Sequence, residues 1–213
     1  MRKSKLITRL AYIFIASALF SCSLRSSNKA VPPENIKLFL PEDVCNYPVN
    51  VTAKVFHGMG GGNWTQVSPD DPKAGYECSG ALNLIQIYSP PGSSINVGYA
   101  AAGTERGSNT VTLEYAAAWT GPMDHESTYR TVYLNFLNDV LKQSLKQPMT
   151  DLMRKKITNL AGYFKGGKAE EEFFPLGDGF VILIRENDDT ASSIKITTRI
   201  YPDIALKLDY ANP

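Results

Sequence analysis

Period-two alternation of apolar and polar residues predicts several β-strands in the first half of the chain. The segments 49–56 and 81–88 follow this pattern, which is typical of a strand with one buried face. Two further segments, 95–101 and 110–119, flank the polar, glycine-bounded stretch 103–109. Such a connection between two strand patterns predicts a β-hairpin.

The period changes after Gly121-Pro122, where apolar residues begin to recur every three or four positions. One such segment, 127–145, predicts an amphipathic helix, and Pro148 ends it. A second helix is predicted at 150–164, before Gly166-Gly167. Because few residues separate the two helices, we expect them to form an αα-hairpin.

The last third of the chain returns to strand patterns. The continuous apolar run 180–184 is typical of a strand covered on both faces, and 194–200 alternates again. A further strand is predicted at 204–208. Strands, then helices, then strands predict an α+β fold, with a mainly antiparallel sheet and the αα-hairpin packed on one of its faces.

The N-terminus has the three-part order of an export signal. Arg2, Lys3, Lys5 and Arg9 precede the apolar run 10–20, and a small residue, Ser21, follows it. Eleven apolar residues are too few for a membrane-spanning helix, which needs about 20. The tetrapeptide Leu19-Phe20-Ser21-Cys22 resembles the lipobox of bacterial lipoproteins.

This resemblance implies that Cys22 is lipidated, that residues 1–21 are removed, and that the new N-terminus is acylated. The polar segment 22–35 would then be a tether of about 20 Å to a single domain, 36–213. Ser23 is not the aspartate of an inner-membrane retention signal, so the resemblance implies an outer-membrane anchor with the domain facing the periplasm.

Charge and composition narrow the range of partners. Four of the 22 Lys and Arg residues lie in 1–21, which leaves 18 against 21 Asp and Glu and a net charge of −3. A mixed, mildly acidic surface predicts no nucleic-acid partner. A hydrophobic content of 43% suffices for a packed core.

With Cys22 assigned to lipid, two cysteines remain. In an exported chain this pair, Cys45 and Cys78, predicts a disulfide, since the periplasm is oxidising; the alternative is two buried free thiols. Two cysteines alone cannot make a zinc site, and neither histidine lies at ligand spacing from them. We therefore predict no metal and no cofactor.

The glycine-rich stretch 57–64 is the most unusual local sequence. His57, Gly58, Gly60, Gly61 and Gly62 could form a ligand loop, because glycines expose backbone N–H groups that cradle anions. The Gly-x-Ser-x-Gly motif of lipases is absent from the chain. The interpretation we favour is a strand connector, with Trp64 packed back onto the domain.

Other charged segments have simpler interpretations. Asp124-His125-Glu126 could hold a histidine base, but acidic residues before a helix are already explained by capping and the helix dipole. The runs 154–156 and 170–172 are interpreted as solvated charges, the second within a link after the second helix. No complete catalytic constellation is evident.

The favoured functional hypothesis is therefore a non-enzymatic, lipid-anchored module that binds a protein partner. Two alternatives stay open. One is a lipid-tethered, immunity-type inhibitor of a periplasmic toxin. The other is a hydrolase or ligand-binding protein that uses the Gly58–Gly62 loop.

Overall fold

The computed structural model describes residues 36–45, 62–71, 73–83, 94–118, 126–159, 169–187 and 193–207. These residues belong to one compact unit, Val31–Pro213. The helices are α1 (Pro41–Cys45), α2 (Glu126–Ser144) and α3 (Asp151–Thr158). The strands are β1 (Thr65–Gln66), β2 (Tyr76–Asn83), β3 (Ser94–Thr104), β4 (Gly107–Ala118), β5 (Glu170–Leu176), β6 (Gly179–Asn187) and β7 (Ser193–Tyr201).

The strands form one antiparallel sheet in the order β1-β2-β3-β4-β7-β6-β5. The predicted hairpin is confirmed as β3–β4, although its turn is only Glu105–Arg106 and both strands extend into the stretch assigned to the loop. A register shift at Ala102/Gly103 accompanies this turn. The fold is therefore mostly sheet with a few helices.

Helix α2 covers one face of the sheet, called here the helix face. Its buried residues recur at the predicted helical spacing, which directs one stripe at the strands. The Tyr133 ring lies 5.5 Å from that of Tyr115 on β4, and the Phe136 ring lies 6.4 Å from that of Tyr99 on β3. The Tyr133 hydroxyl is also 2.8 Å from Thr198 Oγ1 on β7, so α2 contacts the three central strands.

Helix α3 is shorter than the predicted 150–164. Thr150 is its N-cap and accepts a hydrogen bond from the Met153 N–H, and Asn159 is its C-cap. Residues 160–168 lie outside the described part of the chain. The connection to α2 is held by Asn138 Oδ1, which accepts from the Met149 N–H. The αα-hairpin remains a prediction.

The opposite face of the sheet, called here the outer face, carries a second, smaller core. Phe180 and Ile182 on β6 are buried there with Leu206. The Phe180 ring stacks on Tyr201 with 4.4 Å between centroids. Because Val181 and Leu183 are buried on the helix face, β6 is covered on both sides, as its continuous apolar run predicted.

Three further strand predictions differ from the structure. The strand predicted at 204–208 is wrong: Asp203 Oδ1 accepts from the Ala205 N–H, 204–205 form a turn, and 206–207 are helical, with Leu206 buried. Strand β5 occupies residues assigned to a link, because its glutamates and Pro175 hid the pattern. Strand β2 begins at Tyr76, earlier than expected. The predicted strand at 49–56 lies outside the described residues.

A disulfide joins Cys45, the last residue of α1, to Cys78 on β2, with 5.7 Å between the Cα atoms. Pro41 is the first residue of α1, a position where proline is favoured because its missing N–H would have no intrahelical partner. The Tyr99 hydroxyl donates to the Val44 carbonyl at 2.7 Å. These contacts fasten α1 to β2 and β3.

Candidate functional site

A groove lies at one end of the sheet, called here the far end, where β3 and β7 begin and β4 and β6 finish. Its volume is about 370 Å³. Residues of four adjacent strands line it: Ser94, Asn96, Ala116, Ala117, Ala118, Glu186, Ser193, Ile194 and Lys195. The groove therefore depends on the pairing of strands that are distant in sequence.

Strand register places the polar side chains of the groove on the outer face. Ala116 is paired with Asn96 on one side and with Lys195 on the other. Lys195 is in turn paired with Glu186. Since side chains alternate along a strand, these four residues share one face. The methyl group of Ala116 leaves space between the longer side chains.

Beside the groove, one ammonium lies close to two carboxylates. Lys195 Nζ lies 3.0 Å from Glu114 Oε2 and 4.0 Å from Glu186 Oε2. Glu114 precedes Ala116 on β4 by one outer-face position, toward the β3–β4 turn, and is not among the residues that line the groove. The Lys195 ammonium therefore pairs with two carboxylates, and this group of three side chains has a net charge of −1.

Glu114 differs from its two neighbours in burial. Its side chain is 13% exposed, against 44% for Lys195 and 45% for Glu186. Its second oxygen, Oε1, is buried and has no hydrogen-bond partner. A buried carboxylate oxygen without a donor is costly, so this atom can accept a further hydrogen bond.

A second ionic cluster lies on the helix face and has a structural explanation. The Arg185 side chain is 3% exposed and pairs with Glu170 at 2.8 Å and with Glu172. It also donates to the Lys156 carbonyl in the last turn of α3, where the helix dipole favours a cation. Lys156 Nζ itself lies 2.8 Å from Glu172. The cluster joins α3 to β5 and β6.

A smaller cavity of about 180 Å³ lies at the other end of the sheet. It separates the segment 37–44 from the C-terminal part of α2. Lys37, Asp43 and Lys146 lie at its edge, and Lys146 Nζ donates to the Gln143 carbonyl of the helix terminus. We interpret this cavity as a gap between two packed segments, because Lys146 bonds the helix terminus and Lys37 pairs with Asp178.

Most of the glycine-rich candidate site is not tested by the structure. Cys22, His57, Gly58, Gly60 and Gly61 lie outside the described residues. Gly62 is described, and a Cβ there would lie 3.3 Å from the Ser79 carbonyl oxygen, so its backbone runs close to β2.

Trp64 packs back onto the domain as expected, while the connector interpretation of 57–61 concerns residues outside the described ranges and stays a prediction. The Trp64 ring stacks on Tyr76 with 6.2 Å between centroids, and it packs against the main core.

The charged segments singled out in the sequence have different outcomes. Asp124 and His125 lie outside the described residues, and Glu126 is the first residue of α2. The glutamate run 170–172 is in β5, so its assignment to a link is wrong; Glu170 and Glu171 are exposed as expected, and Glu170 and Glu172 bind Arg185. Strand alternation brings these two carboxylates to the helix face.

The groove supplies the Glu186 carboxylate, the Lys195 ammonium and small polar side chains, which suit ion pairing and hydrogen bonding. Sequence reasoning missed Glu114, Glu186 and Lys195. The alternation of each strand marks them as facing away from the apolar residues, but only the register brings them together. Among the described residues, no group of three or more His, Cys, Asp or Glu side chains is placed to hold a metal ion.

Neither α2 nor any other helix in the described ranges is long and apolar enough to span a membrane. Comparisons of the chain with protein-family models, with curated proteins and with solved structures find no match.

Proposed function

We propose that this chain is a lipid-anchored bacterial envelope protein whose sheet domain binds a protein partner through its far end. The proposal takes Cys22 as the lipidated first residue of the mature chain, on the basis of the Leu19-Phe20-Ser21-Cys22 lipobox. It places the domain on the periplasmic side of the outer membrane and assigns it no catalytic step.

The observation that carries the binding site is the separation of two ends of the sheet. The described chain begins at Ile36, and Phe39 pairs with Ser108 beside the β3–β4 turn. The Lys37 N–H donates to Asp203, in the turn after β7. We call this the entry end.

The groove lies at the opposite end of the same strands. β3 has 11 residues between the two ends, about 35 Å at a normal strand rise. A tether that leaves the domain at the entry end would leave the far end accessible to other proteins. The polar edge and small-residue floor of the groove suit an extended segment of a partner.

The same proposal treats α2 and α3 as an αα-hairpin that backs the sheet. It is supported by the hydrogen bond from the Met149 N–H to Asn138 Oδ1, which folds the connection onto α2. The helix layer would then support the strands from behind while the outer face remains available.

The proposal is tested by site-specific photo-crosslinking in the native bacterium. A photoreactive amino acid at Ser193, in the groove, should yield an adduct with a discrete protein. The matched control places it at Glu105, the exposed turn of the entry end, where the same adduct should be absent. The Cys22→Ala variant should lose acylation and give an unprocessed or a soluble form.

Three results would contradict the proposal. A Cys22→Ala chain that is cleaved and membrane-bound like the unaltered protein would exclude the lipid anchor. Equal adducts from Ser193 and Glu105, or no adduct from either position, would exclude the far end as a binding surface. The identity of the captured protein would separate an envelope partner from an imported toxin.

A further inference from the structure

We infer that the entry end of the sheet contacts the headgroup region of the bilayer to which the chain is anchored, and that the side chains of Leu40, Val67 and Ile204 enter it. This inference rests on the proposed function, because it requires the lipid at Cys22. It adds a membrane contact made by the folded domain itself. It is carried by the positions of exposed apolar side chains.

Large exposed apolar side chains are concentrated at the entry end. In the described part of the chain they are Leu40, Val67, Leu152 and Ile204, each between 46% and 56% exposed. All but Leu152 lie at this end of the sheet, between or beside its strands. Single exposed apolar residues are ordinary on protein surfaces, whereas several on one side of a domain indicate an interaction surface.

Backbone contacts fix the first two residues at the entry end. Val67 comes directly after β1, and its N–H donates at 2.9 Å to the carbonyl of Gly75, just before β2 begins. The start of β2 is paired with the end of β3. Leu40 follows Phe39, the residue that pairs with the start of β4. Both side chains therefore belong to the end at which the preceding chain enters the sheet.

Ile204 lies at the same end, on the other side of the sheet centre. Its N–H donates at 2.9 Å to the carbonyl of Asp178, in the turn that joins β5 to β6. From β1, which precedes Val67, to β7, which precedes Ile204, the sheet has four strand spacings, or about 19 Å. Leu40, beside β4, lies between the two. Apolar groups spaced across the whole end suit contact with an extended surface better than contact with one peptide.

The charges around these residues suit a zwitterionic lipid. Exposed acidic residues follow two of the apolar ones along the chain: Glu42, Asp43, Asp70 and Asp71. Exposed ammonium groups, those of Lys37 and Lys73, lie in the same two segments. A headgroup such as phosphatidylethanolamine carries both an ammonium and a phosphate, so it offers a partner to each sign. A purely anionic surface would repel the four carboxylates.

The tether makes a weak contact sufficient. The segment 22–35, with a coil dimension of about 20 Å, would hold Ile36 and the entry end close to the bilayer. Contact between the domain and the lipid is then an intramolecular step, favoured by the high effective concentration that a short linker gives. Partly exposed side chains that enter the interface lose their remaining contact with water. The strands would point the groove away from the bilayer, about 35 Å further along β3.

The test is photo-crosslinking of the lipidated mature chain in vesicles of phosphatidylcholine and phosphatidylethanolamine, with adducts identified by mass spectrometry. A photoreactive amino acid at Ala205, an exposed residue next to Ile204, should form an adduct with phospholipid. The same amino acid at Ser193, in the groove, should yield at least about tenfold less, because it lies at the opposite end of the strands. Since the contact is mainly apolar, raising NaCl to about 0.5 M should leave the Ala205 yield unchanged.

Replacement by serine tests the apolar side chains themselves. Leu40→Ser/Val67→Ser/Ile204→Ser should lower the phospholipid adduct from Ala205 at least about fivefold. The matched control is Leu152→Ser, which removes a leucine of the same exposure from α3 and should change the yield less than about twofold. All four positions are exposed, so both variants should keep the Tm of the unaltered protein. The comparison of Ala205 with Ser193 leaves the three apolar residues in place and decides the question even if the triple variant fails to fold.

Several outcomes would overturn the inference. They are equal phospholipid adducts from Ala205 and Ser193, no phospholipid adduct from Ala205, and an unchanged yield in the folded triple variant. A loss in Leu152→Ser as large as in the triple variant would show that the effect is not specific to the entry end. A yield that disappears at about 0.5 M NaCl, or that requires anionic lipid, would indicate an electrostatic contact instead.

The same measurements separate this inference from the proposed function. An isolated mature chain without lipid on Cys22 would contradict both. A lipidated chain that gives the Ser193 adduct with a protein, but no phospholipid adduct from Ala205, would remove the membrane contact alone. A protein adduct from Ala205 in the native bacterium, without a phospholipid adduct in vesicles, would assign the entry end to a protein partner.

Discussion

Replacing Arg185 with methionine should destabilise the domain by about 2–3 kcal/mol. The guanidinium is almost fully buried and bonds Glu170, Glu172 and the Lys156 carbonyl. Breaking a buried ion pair by removing one partner typically costs about 3–5 kcal/mol. The expected value is below this range because Glu172 keeps Lys156 at 2.8 Å and Glu170 is 48% exposed to water.

A second substitution in the same ionic cluster tests the size of this loss of stability. Methionine retains much of the apolar bulk of arginine, so the loss reports mainly on the charge. Replacing Glu172 by methionine in the same chain should recover part of the stability, since a buried ion pair exchanged for apolar side chains is often nearly neutral. A recovery of at least about 1 kcal/mol in Arg185→Met/Glu172→Met would show this coupling.

The assay is urea unfolding of the oxidised mature chain, read by circular dichroism and fluorescence together. At this domain size, 2–3 kcal/mol corresponds to a fall in Tm of about 4–12 °C. Lys37→Met is the matched control, because it breaks an ion pair whose partners, Lys37 and Asp178, are 59% and 86% exposed. It should cost less than about 1 kcal/mol. An Arg185→Met variant no less stable than Lys37→Met would refute the reasoning.

Two further predictions concern groups buried elsewhere in the core. Burial raises the pKa of Tyr133 above its ordinary value of 10.0, so the unfolded chain ionises this tyrosine before the folded chain does and stability falls as pH rises above about 10. Tyr133→Phe should reduce that fall by up to about 1.4 kcal/mol per pH unit in urea titrations, and an unchanged slope would contradict its burial as the cause. The 33-residue separation of Cys45 and Cys78 predicts that Cys45→Ala/Cys78→Ala loses about 4 kcal/mol of stability. Alkylation without reductant should find neither thiol free in the mature protein, and two alkylated cysteines would disprove the bridge.

The strands and the helix with strong periodicity were predictable, because the hydrophobic effect determines both the spacing of their apolar residues and the face that they bury. Burial of one face explains the alternation in β3, β4 and β7 and the helical spacing in α2. The disulfide was predictable for a different reason: lipidation of Cys22 would leave a single pair of cysteines. Neither inference required knowledge of how distant segments meet.

Sequence reasoning missed the elements in which charged side chains face the core and pair there. Strand β5 has glutamates at inward positions, and Arg185 faces the core at the end of an apolar run. Taken alone, each of these charged residues is typical of solvent-exposed structure. Only the pairing of β5 with β6 shows that the charges neutralise one another. The charges beside the groove were missed for the same reason. Glu114, Glu186 and Lys195 lie on β4, β6 and β7 and meet only through the register of these strands.

The two ends of the sheet also differ in how the preceding chain is attached. At the entry end, Phe39 exchanges two backbone hydrogen bonds of 2.9 Å with Ser108, and the Lys37 N–H bonds Asp203. The disulfide at Cys45 then joins the same segment covalently to β2. If the chain is anchored at Cys22 as proposed, the segment that follows the tether would therefore be fastened to β2, to β4 and to the turn after β7, all at the entry end.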